Sequence, residues 1–146
     1  MKTYFTLLIL MISLGLSAQG KGEKRERIKA LKTAFITTEL DLSSEESAKF
    51  WPIYNDFDEN QFEIRHKKMR PLGKKMEAID AMSDKEALTL LNQMDDLDDE
   101  LLQNKKKLIS SLKPVISPKK ILKLKKAEDE FQRKLLKQFK DKGPRK

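Results

Sequence analysis

Side chains that attack, transfer protons or hold metals are few in this sequence, and their spacing brings few of them together. His66 is the only histidine and there is no cysteine. Zinc and other borderline metals favour imidazole and thiolate, so a site here would have to be built from carboxylates alone. The run Asp95-Asp96-Leu97-Asp98-Asp99-Glu100 has the acid density of a calcium loop. It lacks the Gly of the turn position and lies in a helical pattern, where successive carboxylates diverge by about 100° around the axis. It reads as an acidic helix face, a partner for Lys105 to Lys107, for the last helix, or for a second copy of the chain. Asp56 and Asp58 could do acid–base work, but among 23 acids such a pair is expected by chance. No Ser stands in a motif with the one His, and Ser43, Ser83 and Ser117 are accounted for as helix caps. The expectation is a protein that is not an enzyme and needs no cofactor or metal.

Two placements of charge are more informative. Lys119 and Lys120 fall in the first turn of a helix, where the macrodipole is positive and cations are mildly disfavoured. Beside free backbone N–H groups they could hold an anion or a carboxylate; the alternative is that they are solvated in a Lys-rich region. Glu128 falls on an apolar stripe between Leu124 and Phe131 and needs a partner if buried, which Arg25, Arg65 or Arg70 could supply.

The elements that position these residues are helices. Val occurs once, Gly and Pro five times each, and Lys, Glu and Leu abound, a composition that predicts an all-α fold. A first helix is expected over about Gly22 to Glu39, with Ile28, Leu31, Phe35 and Thr38 on one face. Leu42-Ser43-Ser44-Glu45-Glu46 then has the form of a capping box, in which Ser43 and Glu46 satisfy each other's backbone N–H. The helix it opens carries Phe50, Tyr54, Phe57 and Ile64, with Gln61 interrupting the stripe. Pro52 predicts a kink near Ala48 to Trp51, and Pro71 with Gly73 a bend or stop near Arg70. Leu72, Met76 and Ile79 continue the spacing to about Asp80. A second capping box, Ser83 to Glu86, opens a third helix reaching Lys113, about 45 Å long at 1.5 Å per residue. Its stripe is Ala87, Leu90, Leu91, Met94, Leu97, Leu101, Leu108 and Leu112. Ile116-Ser117-Pro118 starts the last helix, with Pro at its first position, and Ile121, Leu124, Phe131, Leu135 and Phe139 line one side to about Lys140.

Residues 1–18 read as a secretory signal, with Lys2 as the basic end, Tyr4 to Leu16 as the apolar core and a cut after Ala18 or Gly20. That core is too short for a bilayer-spanning helix of about 20 residues, so no stable membrane insertion is expected. The remainder fits one helical domain over residues 19–140, followed by a disordered basic tail over residues 141–146. Removing the leader takes away Lys2 and leaves 30 basic against 23 acidic residues. From Asp80 to Leu102 there are eight acids and one Lys, whereas from Asn104 to Lys146 there are sixteen Lys or Arg against four acids. Export to the periplasm makes nucleic acid an improbable partner, which leaves anionic envelope surfaces, acidic proteins or the chain's own acidic segment. Helices this long in so short a chain predict two thin antiparallel hairpins that bury their stripes fully only as a homodimer.

Leu42-Ser43-Ser44-Glu45-Glu46 and Ile116-Ser117-Pro118-Lys119-Lys120 are two helix starts of the same form. With the leader and the helical chain they resemble the Leu-Thr-x-x-Gln motifs of the Spy/CpxP family of periplasmic stress proteins. LDLSSEESAKFWPIYNDFDENQFEIR and VISPKKILKLKKAEDEFQRKLL resemble a Bacteroidetes branch of exported proteins often labelled as sensors of an extracytoplasmic-function sigma factor. The resemblance implies a cradle-shaped helical dimer that holds unfolded or partly folded envelope proteins without ATP. The alternative it implies is an accessory regulator docked on the periplasmic domain of an envelope-stress sensor or anti-sigma factor. Trp51, Tyr54, Phe57, Met69, Lys119 and Lys120 are the candidate contact residues. Leu42, Ser43, Glu46, Ile116, Ser117 and Pro118 are the structural motif. Glu46 and Lys120 stand where the family has Gln, which changes the charge of both starts.

Overall fold

The computed structural model describes residues 16–141; most of the expected leader and the last five residues of the chain lie outside them. The described residues are helical with no strand, so the fold is all-α. The helices are α1 (Leu16–Leu40), α2 (Ser44–Phe62), α3 (Arg70–Met76), α4 (Asp84–Leu112) and α5 (Pro118–Asp141). A π-helical segment, Glu63–Met69, joins α2 to α3, and a 3₁₀ turn, Ile79–Ala81, precedes α4. The described residues fall into two compact units, one of residues 42–123 and one combining the described residues up to 41 with those from 124 onward.

The unit of residues 42–123 is an antiparallel helical hairpin. Both capping boxes form as the sequence predicts, with reciprocal Ser43–Glu46 and Ser83–Glu86 bonds at the starts of α2 and α4. The α2 arm buries Phe50, Tyr54, Phe57 and Ile64, and the α4 arm buries Leu90, Leu97, Leu101, Leu108 and Leu112. The register is read from Asp56 with Lys107, Phe57 with Asn104, and Lys68 with Glu100. Numbers rise along one arm as they fall along the other.

Helical structure does not break at Pro52, which sits inside α2, nor at Pro71, which opens α3. Where a bend or a stop is expected near Arg70, the helix does not stop but changes pitch. Arg70 N–H donates to Arg65 O, an i→i+5 bond, so one extra residue is accommodated without leaving the helix. The reason lies in the apolar spacing. Phe57 to Ile64 keeps the helical period, but the next apolar residue is Met69, five positions on rather than three or four. The π segment takes up that surplus, and Met69 and Leu72 pack against the cluster of Ile64, Leu97 and Leu101.

The second unit pairs α1 with the distal part of α5. Phe35 and Phe131 pack with ring centroids 5.9 Å apart, and Lys134 Nζ lies 4.5 Å from the centre of the Phe35 ring. It is not a hairpin of consecutive helices, because its two strands of chain are the two ends of the sequence. Its buried residues are Ile36, Leu40, Leu124 and Ala127. The predicted α1 stripe is therefore displaced: Leu31 and Thr38 are exposed and Ile28 and Phe35 only half-buried. α1 is helical from the first described residue, ahead of the expected Gly22, and ends at Leu40; Asp41, which follows, has a left-handed φ of 48°, a conformation Asp tolerates better than most residues.

Candidate client-binding surface

The two helix starts singled out by sequence meet. Glu46 Oε1 accepts from Ser43 N–H at 3.1 Å and from Lys120 Nζ at 2.7 Å. Lys120 N–H in turn donates to Ser117 Oγ at 3.3 Å. Glu46 and Lys120 thus form an ion pair across 74 residues of sequence, each with a side chain 24% exposed. The pairing explains the charge at both places. Lys120 sits unfavourably at the start of its own helix but offers a cation to the carboxylate capping the other. The Lys120 bond and the Ser43 backbone bond hold the Glu46 carboxyl below the usual Glu range. Leu42 is half-buried, Ile116 is buried, and Pro118 is the first residue of α5.

Burial sorts the candidate contact residues. Tyr54 and Phe57 are core residues, 2% and 5% exposed, which removes them from the surface a client could touch. They belong to an aromatic ladder along α2, with Phe50 and Tyr54 stacked at 5.5 Å, Trp51 edge-on to Tyr54 at 5.7 Å, and Tyr54 to Phe57 at 5.8 Å. Trp51 and Met69 are half-buried. Lys119 is exposed, whereas Lys120 is committed to Glu46.

The outward surface is instead carried by apolar residues outside that candidate set. Leu88, Leu91 and Leu102 are 57%, 55% and 46% exposed. At 100° per residue they share a sector about 60° wide on α4, outside the core stripe. Leu91, expected in that core stripe, belongs to the outward face. Asp95, Asp98 and Asp99 interleave with these leucines on one face of α4, whereas Asp96 and Glu100 point about 80° or more away from it, Glu100 reaching Lys68 at 2.6 Å. At the turn of the hairpin Met76 and Ile79 are 42% and 55% exposed. Beside them an open groove of about 670 Å³ is lined by Lys75, Ala78, Met82 and the first turns of α4. In the other unit Leu31 and Leu136 are 53% and 55% exposed.

Sequence reasoning also missed Asn104. It is 8% exposed, and its Nδ2 donates to Phe57 O at 3.0 Å. The signal was present: Asn104 occupies the helical position between Leu101 and Leu108 where an apolar residue is due.

His66 is exposed and packs on Phe62 with ring centroids 4.4 Å apart. Among the described residues no three potential metal ligands gather and no helix is long and apolar enough to cross a membrane. Comparison with known proteins yields no matching family model, no matching curated protein and no matching solved structure.

Proposed function

We propose that this protein is an exported, ATP-independent holdase that binds unfolded or partly folded envelope proteins through exposed helix faces. One observation carries this reading: Leu88, Leu91 and Leu102 are exposed on one carboxylate-bearing sector of α4, and Leu31 and Leu136 are exposed in the other unit. Leucines scattered singly over a surface need no explanation. Three leucines on the non-core face of one helix, interleaved with carboxylates, make a surface that can hold apolar chain segments loosely while its charges steer their approach. The leader expected for residues 1–18 supports the envelope as the place of action, and the resemblance of the two paired helix starts to the Spy/CpxP motif supports the same class of activity.

The test is suppression of aggregation. The purified protein, at several-fold excess over a chemically denatured client and at low salt, is expected to reduce light scattering. Leu88→Glu with Leu91→Glu is expected to weaken the effect while leaving helicity unchanged. Unchanged scattering with the parent protein at that excess would sink the proposal. Saturable capture of one envelope sensor domain, without affinity for denatured chains, would favour the accessory-regulator reading instead.

A further inference from the structure

The described residues of the hairpin unit hold fifteen basic and fifteen acidic residues. Those of the unit built from the two chain ends hold twelve basic and eight acidic. The net positive charge of the described chain therefore resides in the α1–α5 unit alone. That unit has only two helices, and a pair of helices buries one stripe of each and leaves the flanking positions open to a third. Between α1 and the distal part of α5 lies an open groove of about 650 Å³, with Ile28, Leu31 and Leu135 on its apolar floor and two cations, Lys24 and Arg27, with one acid, Glu23, among its other lining residues. Leu31 is more than half exposed, and Ile28 and Leu135 are half-buried.

We infer that this groove binds an acidic amphipathic helix of a client or partner protein, which lays its apolar stripe on Ile28, Leu31 and Leu135 and its carboxylates toward Arg27 and the surplus cations of this unit. This rests on the client-binding reading and gives it a recognition element. A groove between two antiparallel helices has the form that takes a helix through apolar anchors at i, i+3, i+4 and i+7. The surplus of cations selects the sign of the flanking charges. The same surplus argues against a second copy presenting this face to itself, since like charges directly opposed are destabilising.

The probe is a labelled 18-residue amphipathic peptide with Leu on one face and Glu on its flanks, compared with a peptide of the same apolar face carrying Lys in place of Glu. Fluorescence anisotropy at low salt is expected to show at least ten-fold tighter binding of the acidic peptide. Arg27→Glu with Leu31→Glu is expected to lower that affinity at least ten-fold, and Leu88→Glu, on the other unit, to leave it within two-fold. Circular dichroism melts establish that both variants fold. Equal binding of the two peptides, or loss of binding in Leu88→Glu only, overturns the inference. So does sedimentation showing a dimer that Leu31→Glu abolishes, because a second copy then occupies the groove. If the parent protein suppresses aggregation but ignores the acidic peptide, the groove assignment fails and the holdase reading stands. If the acidic peptide binds in the groove but aggregation is not suppressed, the groove assignment holds and the holdase reading fails.

Discussion

At the scale of single residues, the pairing of Glu46 with Lys120 joins the starts of two helices in one interaction. The carboxyls of Glu46, Glu63 and Glu86 are all held below their usual value, by Lys120 with Ser43, by Lys67, and by Ser83 respectively. A carboxyl whose folded value lies below its unfolded one stabilises fully above the unfolded value, and that contribution is lost as pH falls through the folded value. Thermal stability is therefore expected to be flat above the ordinary Glu value near 4.5 and to fall below it. Glu46→Gln should flatten that acid limb. Lys120→Met should lower the melting temperature at pH 7 more than Lys119→Met, since Lys119 is exposed and makes no such bond. Asn104 is the second residue with an outsized role. Asn104→Ala removes a buried hydrogen bond to the α2 backbone and opens a small cavity, and is expected to cost about 1–2 kcal/mol in urea unfolding. A loss below a few tenths of a kcal/mol would show that the bond does not contribute to the register.

At the scale of elements, the π segment is a consequence of one surplus residue between Ile64 and Met69. Deleting Lys67 removes that surplus together with only an exposed ion pair to Glu63, leaving four-residue spacing that suits an α-helix. The deletion is expected to be neutral or stabilising within about 1 kcal/mol, the worth of an exposed pair. Deleting Lys105 from the regular part of α4 should instead unfold the hairpin. It rotates Leu108 and Leu112 off the core stripe, and each buried leucine contributes about 1.5–3 kcal/mol. Urea titrations of the two deletions, side by side, separate these outcomes. Similar losses in both would mean that the spacing argument is wrong.

At the scale of the whole molecule, the partition into two units carries its own expectation. The hairpin of residues 42–123 contains both capping boxes, the aromatic ladder, the Asn104 bond and the Glu46–Lys120 pair. As a separate fragment it is expected to be helical and to melt cooperatively by circular dichroism. A gradual, non-cooperative loss of signal would show that it cannot stand without the chain ends. The α1–α5 unit, with two helices and half-buried aromatics at its centre, offers no such expectation of independence.

The sequence by itself determined the all-α class and the starts of α2, α4 and α5, because caps, helix formers and the 3.6-residue period act within a few residues of one another. Ser43–Glu46, Ser83–Glu86 and Ser117 were legible for that reason, as was the stripe of α4 apart from Leu91. The aromatic stretch Phe50 to Phe57 was legible as a concentration, but only its stacking along a buried α2 face showed that Tyr54 and Phe57 belong to the core. The π segment was encoded in the five-residue step from Ile64 to Met69, yet Pro71 and Gly73 masked it with stronger stop signals. Tertiary structure alone decided three things. It brought Glu46 to Lys120, paired α1 with the far end of the chain, and put Leu31, Leu88 and Leu91 outside. Periodicity gives the angle of a residue around its helix; which angle is covered depends on neighbours that arrive from tens of residues away.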